Sequence, residues 1–216
     1  MASKLSVYNQ VLVSLGVYEL RGLAEHRPER QILDTVWAPA LRYCLARGQW
    51  NFATRAVQAT PSSTEEATFG YSNVYEKPGD WVRTTGFCSD DRFEQPIRDY
   101  QDEQGFWCAD LNPVYIRYVS DDPAYGGNLA LWSTTFERFV VAHICSELYA
   151  RFSAGLGMAT TAAGIQLRKK DEKDRLKEAQ SEDAMNQPSQ RVTSGAWVRA
   201  RRGNGSRYDR WDGTFR

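Results

Sequence analysis

Residues 80–87 read DWVRTTGF, and the period of this stretch decides the fold class. Trp81, Arg83, Thr85 and Phe87 alternate with Val82 and Thr84, a repeat of two that suits a half-buried strand. Ser89, Asp90 and Asp91 supply the turn after it. Between about Phe69 and Ser120 the same period recurs in FEQPIRDY (93–100), GFWCAD (105–110) and VYIRYVS (114–120), the last two separated by the turn signal Leu111, Asn112, Pro113. These four stretches predict an antiparallel four-stranded meander. Pro96 cannot donate to a ladder and places its strand at an edge or a bulge.

On both sides the period becomes helical. Leu5, Val7, Tyr8, Val11, Leu12 and Leu15 share a face over residues 3–15, and Gly16 is a natural stop. A second helix runs from Pro28 or Glu29 to Gly48 through Ile32, Leu33, Val36, Trp37, Leu41, Cys44 and Leu45, with Pro39 set to bend it. QWNFATRAVQ (49–58) reads as a helical continuation, broken by TPSSTEE at 60–66. After Gly127, Thr134 and Glu137 form a capping box. Trp132, Phe136, Phe139, Val140, Ile144, Leu148 and Phe152 then mark a helix at the centre of the core. A last helix from about Met158 to Asn186 is poor in apolar residues. Ile165, Leu167, Leu176 and Ala179 stand among charges such as Lys170 with Asp174 and Asp171 with Arg175, so it docks by one edge. Pro188 ends it.

The layout is α+β, mainly α: a helical bundle from the N- and C-terminal parts of the chain (1–60 and 129–187), an inserted antiparallel β meander (61–128) and an extended C-terminal arm (188–216). With 42% apolar and 25% charged residues the 216-residue chain has the composition of a folded globular protein, so wholesale disorder is excluded. No apolar run approaches the roughly 20 residues that span a bilayer, which points away from a membrane. The zero net charge conceals segregation. Residues 61–128 hold 13 acidic and 5 basic side chains, net −8, whereas 191–216 hold 7 Arg and 2 Asp, net +5. The arm therefore attracts anions, and the middle repels polyanions.

Cys44, Cys88, Cys108 and Cys145 are widely spaced, and His26 and His143 are the only histidines, so no metal-ligand spacing appears. Free thiols in a reducing cytoplasm follow. His143 and Cys145 fall on different faces of their helix. No phosphate loop, HExxH, CxxC or GxSxG is present. Carboxylates at Asp90, Asp91, Glu94, Asp99, Asp102, Glu103 and Asp110 are the remaining catalytic candidates. A pair held roughly 5 to 9 Å apart would suit glycoside hydrolysis, as in a peptidoglycan-cleaving hydrolase using Glu94 and Glu103. The alternative is that they solvate turns and strand edges.

In the arm, Arg199, Arg201, Arg202, Arg207 and Arg210 interleave with Trp197, Tyr208 and Trp211. This combination fits nonspecific nucleic-acid binding or anchoring on another protein. The non-basic body favours a protein. Trp50 and Phe52 read as core packing.

Five stretches in order resemble the head-to-tail adaptors of tailed bacteriophages, in particular the tail tubular protein A family of short-tailed phages. They are VYNQVLVSLGVYELRGLAE (7–25), LARGQWNFATRA (45–56), YEKPGDWVR (75–83), and PVYIRYVSDD (113–122) followed by WSTTFERFVVAHICSELYARF (132–152). The matching positions include Trp50, Asn51, Phe52 and Ala53, then Tyr75, Pro78 and Asp80, then Arg117, Tyr118, Trp132 and Phe136. The resemblance covers about residues 5–155. It implies a virion protein made in the host cytoplasm, twelve copies of which form a ring beneath the portal. Such a ring joins the DNA-filled head to the tail tube or nozzle and passes the duplex without specific binding. It implies neither enzyme nor cofactor. The arm residues Trp197, Arg199, Arg201, Arg202, Arg207, Tyr208, Arg210 and Trp211 then dock on the portal or a neighbouring subunit.

Overall fold

The computed structural model describes residues 2–65, 70–103, 105–155 and 161–186. Within them the protein is α+β, with four helices and two small antiparallel sheets. Met158 and the whole 188–216 arm, with its eight docking candidates, lie outside the described residues.

Helix α1 (Lys4–Ser14) starts where Ser3 Oγ accepts the Ser6 N–H at 3.1 Å. It ends at Gly16, whose φ of 77° is the left-handed conformation that glycine adopts without a Cβ clash. Helix α2 (Pro28–Ala46) has Pro at its first position and runs through Pro39. Helix α3 (Thr134–Gly155) packs against α1, α2 and the long helix α4 (Ala162–Met185), as the central position predicted for it requires. Its cap differs from the predicted box: the Phe136 N–H donates to Ser133 Oγ at 3.2 Å, and Glu137 instead accepts from Gln10 Nε2 at 2.7 Å. Ser133 precedes the helix by one residue and can adopt the extended backbone of a cap; Thr134 is already helical. In α4 Ala179 is buried, Leu176 packs beside it, and Leu167 is exposed. Arg175 pairs with Asp171 at 3.5 Å and with Glu178 at 3.0 Å.

The β part departs from a single meander. One sheet has the order β1 (Thr54–Ala59), β6 (Val114–Ser120), β3 (Trp81–Cys88), and the other β2 (Asn73–Glu76), β5 (Phe106–Ala109), β4 (Gln101–Glu103). The stretch 93–100 is not a strand; its one ladder-like contact is the bridge between Cys88 and Pro96, consistent with the missing proline donor. Residues 54–58, expected in a helix, belong instead to strand β1, preceded by a single 3-10 turn at Asn51–Ala53.

The reason lies at Trp50. Its indole is buried against Phe136 (4.8 Å between ring centroids), and Nε1 donates to the carbonyls of Cys44 and Leu45, each at 3.1 Å. Those bonds satisfy carbonyls of the last turn of α2, so the indole caps the end of the helix. Thr54 and Val57 then suit a strand, and Thr54 pairs opposite Val119.

Strand β6 divides two cores. Val119 points into the helical core with Trp50, Phe136 and Phe139, while Val114 and Ile116 join Tyr75, Phe87 and Trp107 between the sheets. Alternation along one strand sends odd and even residues to opposite faces, which is how a seven-residue strand serves both.

Candidate docking groove

The stretches quoted above converge on two joints. At the first, Asn9 clamps the chain after α1: its Oδ1 accepts the Leu20 N–H at 2.9 Å and its Nδ2 donates to the Leu20 carbonyl at 3.1 Å. Trp50 is buried in the same core as Leu20. Asn51 then ties this joint to the end of α4, its N–H donating to Asp183 Oδ1 at 3.0 Å and its Nδ2 to the Asp183 carbonyl at 2.9 Å.

At the second joint Asp80 accepts from Arg55 Nη1 at 3.0 Å, from the Tyr118 hydroxyl at 3.2 Å and from Ser120 Oγ at 2.5 Å. Burial alone raises its pKa, but hydrogen bonds from Ser120 and Arg55 outweigh that and hold the carboxyl below its usual range. Burial, with the Asp80 charge beside it, pushes the Tyr118 phenol up to about 12.

The insert carboxylates separate into two groups. Asp90 accepts the N–H groups of Glu94 (2.9 Å) and Gln95 (2.8 Å), Asp99 the Tyr71 hydroxyl (2.9 Å), and Asp110 the N–H and hydroxyl of Ser72 (2.7 and 2.9 Å). Asp102 pairs with Lys77 and accepts from Thr84 Oγ1 at 3.0 Å. These four hold turns and strand connections. The side chains of Asp91, Glu94 and Glu103 make no hydrogen bond or ion pair with a described residue, and all three are exposed.

His143 and Cys145 do face apart. His143 Nδ1 meets Glu172 of α4 at 2.9 Å, with the ring stacked on Tyr43, while Cys145 Sγ donates to the Val11 carbonyl of α1 at 3.8 Å. All four cysteines are free and buried. Among the described residues no group of three His, Cys, Asp or Glu could hold a metal ion, and no helix is long and apolar enough to cross a membrane.

A surface groove of about 520 Å³ lies between α1, α3 and α4. Its floor is Val141, Ala142 and Cys145 of α3, with Val13 of α1 on its rim, 56% exposed. Burial pushes the Cys145 thiol up to about 11 despite nearby Arg168, so it is a packing group rather than a nucleophile at neutral pH. Three guanidinium groups surround this apolar floor. Arg168 Nη2 donates to the Ser14 carbonyl at 2.8 Å, capping the negative end of α1. Arg175 carries its Asp171 and Glu178 pairs. Arg138 is exposed and makes no hydrogen bond or ion pair with a described residue.

Small apolar contacts ringed by forked donors suit a carboxylate-bearing protein segment. Sequence periodicity did not reveal this groove, because Arg138 and Arg168 belong to different helices, 30 residues apart. The one local sign was Arg138, an exposed cation directly before the apolar run at residues 139–142 of α3. Compared with protein-family models the chain has no match, and no curated protein matches it.

Proposed function

We propose that the chain is a structural head-to-tail adaptor of a tailed-phage virion. Twelve copies form a ring beneath the portal, join it to the tail tube or nozzle, and leave a channel for genome ejection. The helices contributed by the two ends of the chain act as the portal-facing bundle, and the β part between them acts as the insert. The arm of residues 188–216 docks through Trp197, Arg199, Arg201, Arg202, Arg207, Tyr208, Arg210 and Trp211 on the portal or a neighbour. The protein has no catalytic task and no cofactor.

The observation that carries this reading is the convergence of the resembling stretches. Trp50 is buried in one core, Asn9 bonds Leu20 of that core, and Asp80 meets Tyr118 at the other joint. Residues that recur in an adaptor family for scaffold reasons should hold joints rather than line a reactive cleft, and these do hold joints. The net −8 of residues 61–128 also suits a channel that must not adhere to passing phosphates.

The test is direct. Electron microscopy of purified particles should place the chain at the head–tail junction in one ring below the portal, and a junction without it would overturn the reading. A chain lacking residues 191–216 should keep its circular dichroism, since α4 ends at Met185, and lose attachment to portal rings. Normal attachment would refute the arm assignment alone.

A further inference from the structure

We infer that the α1/α3/α4 groove receives the acidic turn at residues 90–94 of a second copy of this chain. The inference rests on the adaptor reading, in which identical copies must contact one another, and names the surfaces that meet.

The turn is built to present charge. Asp90 fixes it from inside through the Glu94 and Gln95 N–H groups, and the Phe93 N–H donates to the Asp90 carbonyl at 3.3 Å. Phe93 has a φ of 58°, a left-handed conformation that a bulky residue adopts only when its surroundings hold it there. Here the Arg117 guanidinium lies 3.9 Å from the Phe93 ring centroid and supplies such a hold. Asp91 and Glu94 are exposed and have no partner among the described residues. A turn already fixed in shape loses little conformational freedom on binding.

Charge selects the occupant. The groove carries Arg138, Arg168 and Arg175 against Asp171 and the Glu178 that pairs with Arg175, net +1, and residues 90–94 carry three carboxylates against Arg92, net −2. The chain's own residues 191–216 are net +5 and would be repelled by the same guanidinium groups. Groove and turn occupy different elements of one protein, so in the proposed ring each copy offers its turn to one neighbour and its groove to another, a head-to-tail contact. A contact of this kind closes into a ring when its rotation allows.

Full-length chains with exchanged charges decide it. One carries D91R and E94R, the other R138E and R168E. Because Arg168 also bonds the Ser14 carbonyl, the milder pair D91R and R138E is run alongside; Arg138 has no partner among the described residues. Sedimentation velocity at low salt should show the unaltered chain self-associating, and each variant alone associating at least about tenfold more weakly. A one-to-one mixture of the two variants should recover association, since the reversed turn then meets the reversed groove. The inference is overturned if the unaltered chain stays monomeric to about 1 mM, if either variant self-associates normally, or if the mixture shows no recovery. Loss with R138E but not with D91R/E94R would mean that the groove holds some other acidic segment, which also overturns it. Failure here with intact portal attachment would leave the adaptor reading standing, and the reverse outcome would leave the self-contact standing.

Discussion

Gly48 lies where α2 gives way to the sheets, and its missing side chain is what permits the turn back. A Cβ there would fall 2.6 Å from Cε2 of the Trp50 indole, which is buried and cannot withdraw. Gly48→Ala should therefore destabilise the protein by about 1–3 kcal/mol, the usual cost of overpacking. Urea unfolding should show the midpoint falling with the slope unchanged.

Asp80 makes a second residue-scale prediction, this one in pH. Its folded pKa lies below the ordinary 3.8, so its ionised form is favoured by folding. The stability it contributes is present in full above about pH 4 and is lost as pH falls through the folded value. Asp80→Asn should cost about 1.5–3 kcal/mol at neutral pH, as expected for hydrogen bonds to a charged group. The gap from the unaltered protein should close below pH 4. A gap that stays constant with pH would show that the charge of Asp80 does not matter.

At the scale of elements, α4 is held at its far end by Asp183. Its carboxylate accepts the Asn51 N–H while Asn51 bonds its carbonyl, so the end of the helix is tied to the turn that launches β1. Asp183→Ala removes the side-chain half of that tie, worth about 1 kcal/mol. Amide exchange at residues 176–186 should then speed up about fivefold, while residues near Thr161, where the side chain caps the other end, keep their rates. Uniform change along α4 would mean that the helix opens as one unit. The misread element, residues 49–58, teaches the complementary lesson. Its apolar spacing is compatible with a helix, and its fate as a 3-10 turn and strand is settled by pairing with residues 114–119, some 60 positions away.

For the whole molecule the relevant quantity is charge, which is separated along the chain although the total is zero. If copies meet through the 90–94 turn and the arginine groove, self-association should weaken as salt rises from about 0.05 to 0.5 M, because exposed charges are then screened within a few ångströms. Light scattering across that range would measure it, and salt-independent association would point to apolar contacts instead.

The helices, their starts at Ser3 and Pro28, the stop at Gly16, the central place of α3 and the free cysteines all follow from the sequence alone, because capping and periodicity act over a few residues. The same holds for strands β3, β5 and β6. Folding in three dimensions was needed to split the strands into two sheets, to turn residues 54–59 into β1, and to bring Arg138 and Arg168 to one groove. Each of these joins groups far apart along the chain, and neither periodicity nor local propensity records which distant partner a residue will meet.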